Sequence, residues 1–197
     1  MLFGKKKKSK KMEDGNQNHC GNEMVKICFD WMESVFASLI CVVILFTLFF
    51  SIVNVSGPSM LPTLKSNDRV LIRSLGYRPR RNDIVVITHT AMLNEPIIKR
   101  VIALENDTVD IDFQTGIITV NGRILEESSD RKKGLTEQNS DFQFPLTVPK
   151  GHVFVLGDNR SISNDSRFRD VGMIDEHNIL GRAECILLPF DRAGVLY

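Results

Sequence analysis

The hydrophobic pattern of the chain begins with one long apolar run. Residues 35–55 read VFASLICVVILFTLFFSIVNV and contain no charged residue across 21 positions. As an α-helix, this run would span about 32 Å, enough to cross the hydrocarbon core of a bilayer. A buried core helix is the alternative, but such helices are usually shorter and keep a polar stripe. The run therefore predicts a transmembrane helix over residues 35–55.

After the apolar run, the pattern changes to short β-branched segments separated by turn residues. RVLIRSL, DIVVITHT, IIKRVIAL, DTVDIDF, GIITVNGRIL and HVFVLGD have this character. Residues 56–197 are thus expected to form one mainly β domain, long enough to bury its own core. Two stretches differ: IDEHNILGRAECI is predicted to be helical or mixed, and EESSDRKKGLTEQNSDFQ to be an exposed loop or small insertion.

The distribution of charge predicts the topology. Six lysines in GKKKKSKK precede the apolar run, so the positive-inside rule makes residues 1–34 cytoplasmic and residues 56–197 extracytoplasmic. A cleavable secretory signal peptide has a shorter apolar part and ends in a small-residue cleavage site, so the run is interpreted as an uncleaved anchor. The net charge of +1 over 197 residues argues against a nucleic-acid partner.

Cysteine and histidine usage predicts neither a disulfide nor a metal site in the outer domain. Cys185 is the single cysteine of residues 56–197, which excludes an internal disulfide there. The four histidines are scattered, with no cysteine or histidine at ligand spacing. We expect no metal and no other cofactor.

A serine stands in a constrained turn directly after the apolar run. In SGPSMLPTL, Ser59 follows Gly57 and Pro58 and precedes Pro62, which places it in a turn rather than in a regular element. Serines in such turns usually do no chemistry, so this turn is weak evidence taken alone.

A lysine lies among β-branched apolar residues in IIKRVIAL. Strand alternation puts Lys99 on one face with Ile97 and Val101. A lysine extending to solvent from a sheet edge is the ordinary interpretation; the functional one is a desolvated amine with a lowered pKa. Action as a base near neutral pH needs the pKa lowered by about 3 units, or about 4 kcal/mol. A neutral Lys99 could then accept the proton of the Ser59 hydroxyl.

The third stretch is GDNRSISNDSR, residues 157–167, which follows the apolar strand HVFVL. It is dense in short hydrogen-bonding side chains. A polar turn satisfied by its own side chains and a functional loop are equally compatible with it.

SGPSMLPTL, IIKRVIAL and GDNRSISNDSR occur in that order after a single N-terminal anchor. Together they resemble the motifs of bacterial type I signal peptidases, in a Gram-positive-like single-anchor form. The resemblance implies a mainly antiparallel β extracytoplasmic domain, with a catalytic core shared with certain serine–lysine self-cleaving repressors. Lysine at position 99 favours the bacterial type over the endoplasmic-reticulum type.

The resemblance also implies site residues. Ser59 matches the nucleophile and Lys99 the general base, while Arg100 matches a position that holds the site together. In the last motif, Gly157 matches a glycine that leaves room beside the lysine, and Asp158 matches a position with a structural role. Ser163 matches a serine that orients the amine. Asp165 and Arg167 match a structural ion pair.

Two positions depart from the family pattern. Gly57 stands where the Gram-negative form has a serine whose hydroxyl helps to stabilise the oxyanion, so the Ser59 backbone amide is expected to carry most of that role. ALENDTVDI replaces a turn similar to Gly-Pro-Gly-Asp, although Asp107 still matches.

The resemblance implies a membrane-bound serine endopeptidase that removes signal peptides. Its implied partners are secretory preproteins with small residues near the cleavage site, membrane lipid, and the neighbourhood of the export translocon. Two alternatives remain: a specialised peptidase that matures conjugation or pilus proteins, and a membrane-anchored binding module with a catalytically dead domain.

Overall fold

The computed structural model describes residues 6–90, 92–93, 95–127, 129–137 and 139–196. The chain divides into two compact units, Met1–Thr47 and Leu48–Tyr197.

Helix α1, Lys6–Phe49, makes up most of the first unit and ends two residues after it. Its segment Val25–Phe49 is long and apolar enough to cross a membrane, and none of its most apolar window is buried. Apolar side chains are exposed on all sides of this segment, among them Phe36 and Leu45. A helix that is apolar all round and unburied does not fit the alternative of a soluble core helix.

The helix ends earlier than the prediction of a helix over residues 35–55. Residues Phe50–Asn54 form strand β1, which pairs antiparallel with strand β2, Arg69–Arg73. The last residues of the apolar run therefore belong to the second unit. Hydrophobicity alone cannot reveal this boundary, because pairing with a strand some fifteen residues later determines the conformation.

The second unit consists mainly of antiparallel strands, as predicted. The remaining strands are β3 Ile84–Ile87, β4 Ile97–Ala103, β5 Thr108–Asp112, β6 Ile117–Val120, β7 Arg123–Ile124, β8 Leu146–Thr147, β9 His152–Leu156, β10 Ile174–Asp175, β11 Ile179–Leu188 and β12 Gly194–Val195. The larger sheet has the order β1-β2-β11-β3-β4-β9-β10, with β12 beside β11, and the smaller has the order β7-β6-β5-β8.

The core of this unit lies on both faces of the larger sheet. One cluster joins β4 and β9 to the smaller sheet and includes Ile102, Ile118 and Phe154. A second lies beneath the turn that carries Ser59 and includes Met60 and Leu64. A third, with Val85 and Val101 among its members, packs on the face of β4 that also carries Lys99.

The stretch IDEHNILGRAECI, predicted to be helical or mixed, contains no α-helix. Apart from a single 3-10 turn at Glu176–Asn178, the stretch forms β10 and most of β11, which lies between β2 and β3. Its Gly, Ala, Glu and Leu content obscures the strand signal, and tertiary pairing overrides local propensity. A Cβ at Gly181 would collide with the carbonyl oxygen of Arg73, so glycine allows β11 to approach β2 closely.

The polar insertion EESSDRKKGLTEQNSDFQ contains helix α2, Ser129–Glu137. Leu135 of this helix is fully buried and belongs to the cluster that includes Phe154. The insertion is thus packed onto the domain at this point and is not a simple exposed loop.

Candidate active site

The Ser59 turn is held from below by two buried side chains. Met60 is 1% exposed and Leu64 is 0% exposed, and the Leu64 N–H donates to the Met60 carbonyl at 2.9 Å. Ser59 is half-buried. Gly57 has a φ of +86°, which L side chains rarely adopt, so glycine relieves backbone strain at this position.

Lys99 lies in β4, between β3 and β9 near the middle of the larger sheet. It is 3% exposed, and its Nζ donates to Ser59 Oγ at 2.9 Å. The interpretation of a lysine that extends to solvent from a sheet edge therefore does not fit Lys99. The structure brings together two residues that are 40 positions apart in the chain.

Burial lowers the pKa of Lys99 from its ordinary value of 10.5, because desolvation disfavours the charged amine. The negative charge of Asp165 acts in the opposite direction, and the positive charge of Arg167 lowers the pKa further. A lysine in this environment is more easily present as a neutral amine, the form that can accept a proton.

Arg100 extends to the other face of β4 and forms a buried ion pair with Asp158. Its Nε and Nη2 lie 2.8 and 2.7 Å from the two carboxylate oxygens, and its Nη1 donates to the Asn82 carbonyl at 2.8 Å. Thr63 also donates to Asp158 from the Ser59 turn. Burial would raise the pKa of Asp158, but the bonds and charge of Arg100, with the Thr63 hydroxyl, hold it below its ordinary value.

Gly157 is one of the points where the last motif touches the Ser59 turn. A Cβ here would lie 2.6 Å from the Ser59 carbonyl oxygen and would collide with Ser163 Oγ. The space that this glycine leaves is therefore occupied by Ser59 and Ser163. Its predicted role of leaving room beside the lysine stays a prediction.

Ser163 lies in the same loop, and its hydroxyl is buried without a hydrogen-bond partner in the part of the chain that the structure describes. Its expected role of orienting the Lys99 amine stays a prediction. Asp165 and Arg167 do form an ion pair, with Nε to Oδ1 at 2.8 Å and Nη2 to Oδ2 at 3.0 Å. Both side chains are fully buried.

Sequence reasoning missed several residues at this site, among them Asn159 and Arg160 of the loop itself. The Asn159 N–H donates to the Ser59 carbonyl at 2.9 Å, and its side chain donates to the Pro58 carbonyl at 3.3 Å. Arg160 pairs with Glu127 in the insertion. The polar density of residues 157–167 pointed to the loop, but nothing local identified Glu127 as its partner.

The side chains that could bind a metal ion bear on the predicted absence of a cofactor. Among the residues that the structure describes, no group of three or more His, Cys, Asp or Glu side chains could hold a metal ion. That the site works without a cofactor stays a prediction.

The strand-rich fold brings the Ser59 hydroxyl and the buried Lys99 amine into hydrogen-bond contact. Residues 28–188 match the family described as signal peptidase, peptidase S26. The chain belongs to this family of serine endopeptidases.

Individual relatives are similar over most of their length. The chain is 39% identical to signal peptidase I of Leptolyngbya laminosa over 153 residues, which covers 72% of this chain and 70% of the relative. It is 32% identical over 171 residues to signal peptidase I P of Bacillus subtilis subsp. natto, which covers 83% and 90%. A crystal structure of a signal peptidase I from Enterococcus faecalis is 27% identical and covers 54% of this chain and 97% of that one, with a TM-score of 0.42.

Proposed function

We propose that this protein is a membrane-bound serine endopeptidase that removes signal peptides from exported preproteins with a Ser59–Lys99 dyad. The observation that carries the proposal is the 2.9 Å hydrogen bond from the buried Lys99 Nζ to Ser59 Oγ. The relatives named signal peptidase I support the substrate class.

In the proposed reaction, Ser59 Oγ attacks the scissile carbonyl carbon while neutral Lys99 accepts the hydroxyl proton. The negative charge that develops on the carbonyl oxygen is stabilised by the Ser59 N–H. The protonated amine then gives its proton to the leaving amine, so the peptide bond breaks and an acyl-enzyme remains. Water attacks this ester with Lys99 again acting as the base, and the dyad returns to its starting state.

The supporting residues contribute placement to this reaction. Thr63 in the Ser59 turn and Arg100 in the Lys99 strand both bind the carboxylate of Asp158. One buried carboxylate thus connects the element of the nucleophile to the element of the base. A misplacement of about 1 Å between two such groups can cost about a hundredfold in rate.

The proposed topology follows from the sequence. Val25–Phe49 contains the membrane-crossing segment, the lysine-rich N-terminus is cytoplasmic, and the β domain is extracytoplasmic. Substrates are secretory preproteins that reach the site from the membrane, near the export translocon.

The decisive experiment is preprotein cleavage in detergent by purified Ser59→Ala and Lys99→Ala variants. We expect product below detection in both, because removal of one member of such a unit costs about 10⁶-fold in kcat. Ser66→Ala and Lys150→Ala are matched controls at exposed positions and should cleave normally. Normal cleavage by either dyad variant would overturn the mechanism.

The same assay separates the alternatives. A catalytically dead binding module would leave every precursor intact with the wild-type chain as well. A specialised processing peptidase would cleave few ordinary secretory precursors, so a panel of such precursors, with products mapped by mass spectrometry, distinguishes it from a general signal peptidase.

A further inference from the structure

Helix α2 packs directly against the loop of residues 157–163. A Cβ at Gly134 would lie 2.5 Å from the Arg160 Cβ and 2.7 Å from the Ser161 backbone nitrogen, both too close for real contacts. On another side of the helix, a Cβ at Gly116 would collide with the Lys132 carbonyl oxygen. Two glycines therefore permit α2 to fit closely between the β5–β6 turn and the active-site loop.

A buried ion pair joins the start of this insertion to the same loop. Both guanidinium nitrogens Nη1 and Nη2 of Arg160 donate to the Glu127 carboxylate, the first at 2.9 Å. The side chains of Arg160 and Glu127 are 0% and 3% exposed. A pair that is this well desolvated is strongly held in one geometry, because separation would leave a buried charge without a partner.

Arg160 transmits this contact to the reacting residues. Its Nε donates to the Gly157 carbonyl at 2.7 Å, and its own carbonyl accepts a 2.7 Å bond from Arg167 Nη2. Gly157 in turn is the residue packed against Ser59 and Ser163. One path from Glu127 to the Ser59 turn thus runs through Arg160 and Gly157.

A second contact from α2 reaches the ion pair that links β4 to the loop. Arg131 Nη2 lies 3.3 Å from Asp158 Oδ2, the oxygen that also accepts from Arg100 and Thr63. The insertion thus contacts the loop at two charged residues, Asp158 and Arg160.

We propose that Glu127 is a positioning residue for the reaction and that Glu127 and helix α2 brace the loop that packs against the Ser59 turn. The inference rests on the proposed peptidase function. Glu127 acts through Arg160 and Gly157 and contacts neither substrate nor reacting atoms.

The first test is Glu127→Gln. The amide keeps the size of the side chain but turns an NH₂ group toward the guanidinium, where two donors now face each other. We expect kcat for preprotein cleavage to fall by about tenfold or more with KM little changed, since the loop shifts while the substrate-binding surface does not. Glu126→Gln, one position earlier and exposed, is the matched control and should keep wild-type kcat.

The second test is Gly134→Ala, which leaves every charge in place. Alanine normally favours a helix over glycine, but here its methyl group must displace Arg160. We expect the same loss in kcat, whereas Gly194→Ala, where the nearest atom is 4.0 Å away, should behave as wild type. If Glu127→Gln does not yield folded protein, Gly134→Ala decides the question.

Loss of stability alone has to be separated from loss of positioning. Ile118→Val removes a buried methyl group from the cluster beneath the smaller sheet and should lower the unfolding temperature without changing kcat at temperatures where it is folded. Folded Glu127→Gln and Gly134→Ala proteins with wild-type kcat would overturn the positioning role. An inactive wild-type protein would instead overturn the proposed function, which keeps the two failures distinct.

Discussion

At the scale of single residues, burial and a nearby charge act in opposite directions on the pKa of Lys99. Its amine is removed from water, and the carboxylate of Asp165 only partly offsets that cost, so the net effect is a lowered pKa. At Gly57, the backbone conformation determines which residue fits. Its φ of +86° strains any residue with a side chain, so a serine there would meet a backbone cost that glycine avoids.

The lowered pKa of Lys99 makes a prediction about stability and pH. Between the lowered folded value and the ordinary value of 10.5, the unfolded chain binds more protons, so the contribution of Lys99 to the free energy of unfolding rises with pH in this window. Lys99→Met removes this pH-dependent contribution to the free energy of unfolding. We expect the variant to be more stable than wild type near neutral pH, by about 1.4 kcal/mol for each pH unit by which the pKa is lowered.

The measurement is urea unfolding of both proteins from about pH 7 to about pH 10. The stability difference should shrink as the pH approaches the ordinary lysine value. A difference that stays constant over this range would mean that burial does not lower the pKa of Lys99.

At the scale of elements, the site depends on the close approach of one loop to one turn. The loop of residues 157–167 meets the Ser59 turn through Gly157 and Asn159, and its own shape is maintained by the buried Asp165–Arg167 pair. The first contact leaves no space for a side chain, whereas the second uses the Asn159 backbone N–H as a donor.

Gly157→Ala tests this contact. Its methyl carbon would lie 2.6 Å from the Ser59 carbonyl oxygen, so either the loop or the turn must move. We expect kcat to fall by about a hundredfold, the typical cost of a misplacement near 1 Å. Preprotein cleavage by purified protein measures the loss, and Gly194→Ala is the control without a clash. Unchanged kcat in Gly157→Ala would show that the contact is adaptable and does not position Ser59.

At the scale of the whole molecule, an unburied apolar helix precedes a β domain that buries its own core. The lysine-rich start of the chain lies on the far side of the apolar segment from that domain in sequence. This order predicts a protein that presents its peptidase site on the side to which preproteins are exported.

Cysteine labelling of intact cells tests the topology. In a background without native cysteines, His177→Cys should react with a membrane-impermeant maleimide, because the His177 side chain is 94% exposed. Lys10→Cys, in the lysine cluster, should react only after the membrane is permeabilised. The reverse pattern would contradict the proposed orientation.

The sequence located the parts of the candidate site because three short stretches, each ambiguous alone, together resemble one family. The Gly-Pro turn at Ser59, the alternation around Lys99 and the polar density of residues 157–167 are short-range signals, and strand periodicity indicated β2 to β6 and β9. Two stretches differ from the prediction because they pair with distant strands. The apolar residues of β1 are predicted as helix but pair with β2, and β11, predicted as helical or mixed, pairs with β2 as well.

The sequence by itself determined which chemical groups are present, their order and the apolar segment before them, since these depend on residue type and spacing. Only the tertiary structure decided that Lys99 Nζ meets Ser59 Oγ across 40 residues and that Glu127 of a polar insertion pairs with Arg160. Contacts between distant segments depend on sheet order and on close packing at Gly134 and Gly157, and no local pattern encodes either.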